Sequence, residues 1–278
     1  MFINLVDNIE RNAATHIKAN EGDYEIDGLL YCGKCRTPKQ VKVELLGIER
    51  KPYCLCKCEA EKRDAEKAEY ERRQQEERIA KFRKAGFPQS DMHKWTFAAD
   101  DGANPKISKI AMNYVENFSE MRKRGKGLLF FGKVGTGKTF YAACIANALI
   151  DRGYPCLMTD FPRLEKTLSG MFEGKQEYID GLNKFPLLVI DDLSRERDTS
   201  YMNEIVQDII NARYQSGLPT IITTNLTREE IANPKDINKQ RPYSRLLEMC
   251  FPVEVKGKDR RREKLVDDFA EMKDLLGL

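Results

Sequence analysis

The sequence lacks any apolar run approaching the roughly 18–20 residues that a membrane-spanning helix needs. Residues 1–8 have neither a basic start nor a long apolar stretch, so no signal peptide is predicted. Charged residues make up 33% of the chain and hydrophobic residues 41%. We therefore expect a soluble, cytoplasmic protein that does not contact a membrane. The net charge of +3 is too small to indicate a nucleic-acid-binding protein by itself.

Cysteine is unevenly distributed, since five of the eight cysteines lie between Cys32 and Cys58. In a chain without a secretion signal, clustered cysteines indicate metal binding and not disulfides. The cluster reads Cys32-Gly-Lys-Cys35 and then Cys54-Leu-Cys56-Lys-Cys58. Cys-x-x-Cys is the usual zinc knuckle, because two thiolates on one tight turn can share a tetrahedral ion at about 2.3 Å.

Tetrahedral zinc takes four ligands, whereas five cysteines are present. Cys32 and Cys35 are the firmest candidates, Cys58 and Cys56 come next, and Cys54 is the one most easily spared, although the sequence leaves the choice open. The chain has two histidines, and neither is close enough in sequence to complete an open catalytic site. We therefore predict a structural zinc, because a small module cannot otherwise bury enough core to fold. Free buried thiols and an iron–sulfur cluster are the alternatives.

Residues 59–84 are mostly charged and contain no glycine or proline, which predicts a helix. Favourable i,i+4 pairs with the acid first are expected for Glu59–Arg63, Glu69–Arg73 and Glu77–Lys81. Apolar residues are too few for a coiled-coil seam, so we interpret the helix as a solvated spacer, with a docking arm for a partner as the alternative. The predicted domains are a zinc-binding module (1–58), a charged helical linker (59–87) and a nucleotide-binding domain (88–278).

A complete phosphate-binding loop occupies residues 132–139. It reads G-x-x-x-x-G-K-[ST] and lies between an apolar strand (128–131) and an apolar helix (141–149), the setting that such a loop requires. Glycines let backbone N–H groups surround phosphate oxygens, the lysine reaches the terminal phosphates, and the last hydroxyl holds Mg²⁺. The predicted nucleotide-binding residues are Gly132, Lys133, Val134, Gly135, Thr136, Gly137, Lys138, Thr139 and Phe140.

Two further strands end in polar residues. A fully apolar run leads to Asp191 and Asp192, and another leads to Asn225. We predict that Asp191 holds Mg²⁺ together with Thr139, and that Asp192 and Asn225 orient the attacking water. Because Asp192 is shorter than the commoner glutamate, slow hydrolysis is expected. Strands that alternate with helices indicate an α/β fold with a parallel sheet.

Three motifs together resemble those of one family. They are Leu-Leu-Val-Ile-Asp-Asp-Leu, Thr-Thr-Asn-Leu-Thr and Tyr-Ser-Arg-Leu-Leu-Glu-Met-Cys. The combination is similar to the AAA+ ATPases of the DnaC-type helicase-loader family, particularly phage and Gram-positive members, which often carry an N-terminal zinc module. The resemblance covers about residues 88–265, and the cysteine module by pattern only.

The resemblance implies roles for further residues. Arg245 matches the arginine finger that reaches the γ-phosphate of a neighbouring subunit, which implies a homo-oligomer. Arg261 matches the sensor II arginine, with Arg260 as a register-shifted alternative. Single-stranded DNA is expected to contact Lys166, Thr199 and Tyr201.

The function implied is ATP-dependent loading of a ring-shaped replicative helicase onto single-stranded DNA, with ATP, Mg²⁺ and Zn²⁺ as cofactors. One alternative is an IstB-type transposition helper, which shares the ATPase core and acts on duplex DNA with a transposase. Another is an ATP-gated adaptor with almost no turnover. A zinc-finger transcription factor is the weakest alternative, because it would leave the ATPase motifs unused.

Overall fold

The computed structural model describes residues 19–45, 47–87, 90–193 and 200–277. The chain divides into two units, Met1–Glu76 and Glu77–Leu278. In the part of the chain that is described, no helix is both long and apolar enough to cross a membrane. The domain limits given above, 1–58, 59–87 and 88–278, stay predictions.

The first unit contains two short antiparallel hairpins. Strand β1 (Tyr24–Ile26) pairs with β2 (Leu29–Tyr31), and β3 (Val43–Leu45) pairs with β4 (Ile48–Arg50). The turn Asp27-Gly28 has a positive φ at both positions, 51° and 68°, as a type I′ hairpin turn requires.

Helix α1 (Lys57–Gly86) is exposed over most of its length and contributes residues to both units. The predicted pair Glu69–Arg73 forms at 3.6 Å. Glu59 instead pairs with the buried Lys39 at 3.2 Å, so the expected partnership with Arg63 is wrong. A buried ammonium needs a compensating carboxylate more than an exposed arginine does. Most other i,i+4 pairs of this helix place the basic residue first: Lys57–Glu61, Lys62–Glu66, Lys67–Glu71 and Arg72–Glu76.

The second unit is an α/β domain around a five-stranded, wholly parallel sheet, which confirms the predicted fold class. The strands are β5 (Gly127–Phe131), β6 (Cys156–Asp160), β7 (Leu187–Leu193), β8 (Thr220–Thr224) and β9 (Cys250–Glu254), in the order β6-β7-β8-β5-β9. The helices are α2 (Pro105–Glu116), α3 (Phe118–Lys123), α4 (Lys138–Asp151), α5 (Phe161–Ser169), α6 (Lys175–Leu182), α7 (Ser200–Ser216), α8 (Arg228–Ala232), α9 (Ile237–Met249) and α10 (Arg260–Leu276). Two 3₁₀ turns, Ser90–Lys94 and Phe97–Ala99, precede α2.

Helices cover both faces of this sheet. One hydrophobic cluster joins the sheet to α2 and α4, and the other joins it to α5, α6, α7 and α9. The inner strands are therefore apolar on both faces, which is why they read as continuous hydrophobic runs in the sequence. Three cysteines, Cys144, Cys156 and Cys250, are fully buried in this unit. Burial raises the pKa of Cys144 and of Cys250 to about 12.

Arg213, on α7, is almost completely buried at 1% exposure and fastens the helix to neighbouring loops. Its guanidinium donates to Thr220 Oγ1 at 3.1 Å, to the Phe185 carbonyl at 3.1 Å and to the Pro219 carbonyl. Burial lowers the pKa of Arg213 to about 10. The carbonyl oxygens around it would lose their donors if the guanidinium were removed.

Arg213→Met should therefore destabilise the second unit by about 3–5 kcal/mol, as expected when a buried charged donor is lost and its acceptors are left unpaired. The measurement is urea unfolding followed by the fluorescence of Trp95, the single tryptophan of the chain. Arg122→Met, at an exposed position on α3, is the matched control and should change the unfolding free energy by less than about 0.5 kcal/mol. Equal midpoints for the two variants would contradict the assigned role of Arg213.

Candidate functional site

The phosphate-binding loop joins the end of β5 to the start of α4, as predicted. Gly132, Gly135 and Gly137 have φ values of 140°, 78° and 98°, a region that side chains rarely adopt. A Cβ atom at Gly135 would lie 1.8 Å from Asp259 Oδ1, and one at Gly132 would lie 2.5 Å from the Val255 carbonyl oxygen. The loop therefore needs glycine for its backbone conformation and for its close approach to the segment after β9.

Lys138 is buried at the first turn of α4, with 6% of its surface exposed. Its ammonium donates to the carbonyl oxygens of Gly132 at 2.9 Å and Lys133 at 2.7 Å, and to Asn225 Oδ1 at 2.8 Å. Burial lowers the pKa of Lys138, while the nearby charges of Asp192 and Asp191 oppose that shift. The lysine thus lies between the loop and the end of β8, where a terminal phosphate would meet it.

The two acidic residues lie at the end of β7 and share one hydroxyl. Thr223 Oγ1 donates to Asp191 Oδ1 and accepts from the backbone N–H of Asp192 at 3.0 Å. Asp191 also forms a hydrogen bond with the Thr139 side chain. Burial raises the pKa of Asp191, and the Asp192 charge adds to that rise. Thr139 and Asp191 together offer the hard oxygen donors that Mg²⁺ prefers.

Asp192 has a φ of 56°, in the left-handed region, and the pairing of β7 with β8 shifts register between Ile190 and Leu193. Aspartate tolerates this conformation better than most residues, but the strain has to be held by its surroundings. The irregular strand end directs Asp192 to the nucleotide cavity and not along the sheet.

A cavity of about 630 Å³ extends from these groups. Its lining comprises Trp95, Val134, Gly135, Gly137, Lys138, Thr139, Phe140, Asp192, Asn225, Arg260 and Arg261. Most of the predicted nucleotide-binding and catalytic residues therefore lie around one space. Arg260 and Arg261, the two candidates for the sensor II arginine, both line this cavity, so both remain candidates for that role.

Sequence reasoning missed two contributors to this site, Trp95 and Thr223, and it named Arg260 only as the alternative sensor II arginine. Trp95 lines the cavity, and its ring centroid lies 6.4 Å from that of Phe140. The one feature of the sequence that could have drawn attention to it is that it is the single tryptophan of the chain. Thr223 organises the acidic pair, but a threonine within a β-strand gives no warning of that role. Arg260 pairs with Asp101 at 3.1 Å, and its backbone N–H donates to the Gly135 carbonyl, a contact that only the fold creates.

Arg245 lies elsewhere and does not line the described nucleotide cavity of its own chain. Its guanidinium bonds Asn211 Oδ1 and stands over the Tyr214 ring at 5.3 Å from the centroid. Tyr214 in turn donates to Glu248 at 2.8 Å. The arginine is half-buried on α9.

Two of the three expected DNA-contacting residues share one surface. Lys166 is exposed on α5, and Tyr201 on α7 forms a hydrogen bond with Ser169 at the end of α5. Lys175 donates to the Tyr201 hydroxyl at 3.2 Å, and this hydrogen bond is the main cause of the lowered pKa of Tyr201. Thr199 lies outside the described residues.

The first unit brings four of the five clustered cysteines together. The sulfur atoms of Cys32, Cys35, Cys56 and Cys58 all lie within 4.8 Å of one another. Sulfur atoms around a tetrahedral zinc at about 2.3 Å stand about 3.8 Å apart, so this donor set fits zinc. Cys54 lies outside the cluster, and its thiol donates to the Pro38 carbonyl at 3.5 Å.

The profile of the family described as "IstB-like ATP binding protein" matches residues 60–266. The chain belongs to this family. The chain is 27% identical over 195 residues to the replicative helicase loader DnaI of Bacillus subtilis (strain 168), covering 64% of this chain and 62% of that protein. It is 30% identical over 135 residues to the replicative helicase loader DnaC of Escherichia coli (strain K12), covering 47% of this chain and 54% of that protein. The alignments thus span between about half and under two thirds of these curated relatives.

Two crystal structures are similar to this IstB-like protein. That of DnaI gives a TM-score of 0.52 at 25% identity and covers 62% of this chain and 96% of that chain. The structure of the DnaC helicase loader gives a TM-score of 0.52 at 26% identity. The match covers 60% of this chain and 100% of that chain. These findings confirm the resemblance to helicase loaders and the AAA+ P-loop fold, and the family description makes this an ATP-binding protein.

In this IstB-like protein, Lys138→Ala should weaken ATP binding about 10- to 100-fold, because charge-assisted hydrogen bonds to phosphate contribute roughly 1.5–3 kcal/mol. The measurement is a titration with a fluorescent ATP analogue in the presence of Mg²⁺. Lys256→Ala, an exposed lysine paired with Glu254, serves as the control and should retain the original affinity. If both variants bound ATP equally well, Lys138 would have no part in nucleotide binding.

Cys56→Ser should lower the zinc content of the purified protein well below the expected value of about one ion per chain, because it removes one of four sulfur donors. Elemental analysis of the full chain provides the measurement. Cys54→Ser is the matched control and should keep its zinc, since its thiol lies outside the cluster. Equal zinc loss in the two variants would show that the ligand set differs from the four clustered cysteines.

Proposed function

We propose that this protein loads a ring-shaped replicative helicase onto single-stranded DNA in an ATP-dependent manner. The observation that carries the proposal is the joint presence of a phosphate-loop cavity and of similarity to proteins named replicative helicase loaders. The cysteine module that precedes the domain adds support, because transposition helpers of the IstB type are not expected to need it.

The arrangement of the cavity supports ATP hydrolysis. The loop amides and Lys138 bind the phosphates, while Thr139 and Asp191 are placed to hold Mg²⁺. Mg²⁺ would supply charge neutralisation at the phosphate oxygens. Asp192 and Asn225, both in the lining of the cavity, orient the attacking water. The short Asp192 side chain on its strained backbone supports slow turnover in the isolated protein.

The site is completed by a second copy of the chain. Arg245 does not line its own cavity, yet an arginine that stabilises the transition state must reach the γ-phosphate. The contact with the Tyr214 ring fixes the guanidinium outside that cavity. The protein therefore acts as a homo-oligomer, and hydrolysis depends on assembly.

Single-stranded DNA lies along the surface that carries Lys166 and Tyr201. A lysine pairs with phosphate, and an aromatic ring stacks on a base without regard to sequence. Lys175 adds a second positive charge beside Tyr201, and the fully exposed Phe172 lies between α5 and α6. Thr199 belongs to this proposal on the basis of the resemblance alone.

The zinc-binding module is proposed to hold the helicase. Its second hairpin exposes three apolar side chains, Val43, Leu45 and Ile48, of which Leu45 and Ile48 face each other across the strands. A small unit stabilised by metal can expose such a surface without losing its fold. Exposed apolar groups of this kind commonly mark a protein-binding surface.

Two other functions have specific support. The family description, IstB-like, favours a transposition helper that acts on duplex DNA with a transposase. The left-handed backbone at Asp192 favours an ATP-gated adaptor that binds the nucleotide but hydrolyses very little of it. A transposase pull-down and steady-state phosphate release with helicase and DNA, respectively, separate these from the loader.

The deciding test is the mass, by light scattering, of the full chain mixed with the replicative helicase of its host, with ATP and with ADP. A stable complex is expected, and Leu45→Asp combined with Ile48→Asp should abolish it, because two charges would enter the apolar surface. The matched control is Glu44→Gln with Glu49→Gln, a pair directly opposite on the same hairpin, which should retain the complex.

No complex with either nucleotide would reject the loader and move the transposition helper to first place. A complex that withstands both aspartates would retain the loader but relocate its docking surface. Zinc content and Trp95 fluorescence of the variants show whether each unit is still folded. Phosphate release that stays at background with helicase and DNA present would favour the adaptor.

A further inference from the structure

The shift of register between β7 and β8 is a β-bulge at the two acidic residues. Ile190 is in register with β8, and the register resumes at Leu193. Between these two positions β7 has Asp191 and Asp192, whereas β8 has only Thr223. Two residues opposite one define a bulge, which is rare between parallel strands and frequent beside active sites.

The bulge is confined to one side of β7. On the other side, Asp191 is in register with Asp160, the last residue of β6. The strand is therefore regular toward β6 and irregular toward β8, the strand that leads to Asn225. A bulge bends the strand and redirects a side chain, which accounts for the left-handed φ of Asp192 and for its place in the lining of the nucleotide cavity.

A single hydroxyl lies inside the bulge. Thr223 is fully buried, and its Oγ1 accepts from the backbone N–H of Asp192 at 3.0 Å while it donates to Asp191 Oδ1. A bulge disrupts the ladder locally, and a buried N–H at such a place needs another acceptor. Because a hydroxyl has one hydrogen and two lone pairs, it can donate to one acid and accept from the next.

The next residue of β8 makes contacts of a different kind. Thr224 is also fully buried, and its Oγ1 donates to the Leu193 carbonyl at 2.8 Å and accepts from the backbone N–H of Leu226 at 3.1 Å. These two hydrogen bonds join main-chain groups where the pairing of β7 with β8 resumes. Thr223 and Thr224 thus share residue type, burial and strand, but the printed bonds of Thr223 go to the acidic residues.

The carboxylate of Asp191 is held from two sides. Thr223 bonds its Oδ1 from β8, and the Thr139 side chain bonds it from the first turn of α4. Hydrogen bonds from neighbouring side chains restrict the orientation of a carboxylate that ligates a metal, and such partners strongly affect metal affinity. Thr139 is itself a candidate ligand of Mg²⁺, whereas Thr223 is placed to act on the site only through Asp191 and Asp192.

We propose that Thr223 is a positioning residue that serves both acids with one hydroxyl. It holds Asp191 in the orientation that binds Mg²⁺, and it holds the backbone of Asp192 in the bulged conformation that directs this side chain to the attacking water. The part that concerns Asp192 rests on the proposed ATPase function. The part that concerns Asp191 requires only that the protein binds ATP with Mg²⁺.

A Mg²⁺ titration tests the first role without hydrolysis. The full chain, in excess over a fluorescent, non-hydrolysable ATP analogue, is titrated with Mg²⁺ while the fluorescence of the bound analogue is followed. The Mg²⁺ concentration at half-saturation should rise about tenfold in Thr223→Val, because losing such a partner commonly costs a metal site roughly 10- to 100-fold in affinity. The affinity for the analogue without Mg²⁺ should not change, since the phosphate loop and Lys138 are intact.

Steady-state phosphate release tests the second role. At saturating Mg²⁺, Thr223→Val should lower kcat by about 10- to 100-fold, the loss that a misplacement of about 1 Å can cause. The KM for ATP should stay unchanged, which identifies an interaction that matters in the transition state and not for substrate binding. Thr223→Ser keeps the hydroxyl and should restore both kcat and the Mg²⁺ midpoint.

Thr224→Val is the matched control, because it removes a buried hydroxyl from the same strand without touching either acid. It should keep the Mg²⁺ midpoint and kcat, even where urea unfolding shows that it destabilises the protein as much as Thr223→Val does. If Thr223→Val does not fold, Thr223→Ala and Thr223→Ser form a second pair that differs only in the hydroxyl.

Equal effects of Thr223→Val and Thr224→Val would overturn the proposal, because the site would then depend on the packing of β8 and not on the Thr223 hydroxyl. An unchanged Mg²⁺ midpoint in Thr223→Val, or a serine variant that restores nothing, would overturn it as well. Phosphate release at background in the wild-type protein, together with the expected shift of the Mg²⁺ midpoint, would reject the proposed hydrolysis and retain the role of Thr223 at Asp191.

Discussion

The buried ammonium of Lys138 bonds oxygen atoms from two neighbouring strand ends, and the nucleotide site depends on that contact. Its partners are the Gly132 and Lys133 carbonyls after β5 and the Asn225 side chain after β8. Only a parallel sheet places these strand ends at one edge. Burial disfavours the charge, and Asp191 and Asp192 on the next strand compensate for it. The same three strands, β5, β7 and β8, thus determine both the geometry of the site and the charge balance around Lys138.

Much of this site could be predicted from the sequence because its determinants are local. The loop glycines, Lys138 and the acids at the end of β7 follow buried strands directly in the chain, and an apolar run that ends in a polar residue is readable without a structure. The cysteine cluster could also be predicted, because its members lie close together in the sequence. Cys54 was predicted as the cysteine most easily spared, although the sequence left the choice open, and the structure places it outside the cluster with its thiol donating to the Pro38 carbonyl.

Contacts that depend on tertiary structure could not be predicted. Glu59 pairs with Lys39 and not with the residue one turn along its helix, because burial of that lysine demands a carboxylate. Arg213 is almost wholly buried, and its acceptors at Phe185 and Pro219 lie on loops that the local sequence does not connect with it. Trp95 reaches the nucleotide cavity only because the chain before α2 folds over α4. In each case the partner is distant in sequence.

The two units of the protein differ in the accessibility and reactivity of their cysteine thiols. Cys144, Cys156 and Cys250 are sealed in the core of the second unit, where burial raises the pKa of each and suppresses the reactive thiolate. The remaining five cysteines belong to the first unit, where Cys54, for one, is partly accessible. Oxidants and electrophiles would therefore modify the cysteine module long before they reached the buried thiols of the nucleotide-binding unit. Oxidation would thus alter the first unit and leave the nucleotide-binding unit intact.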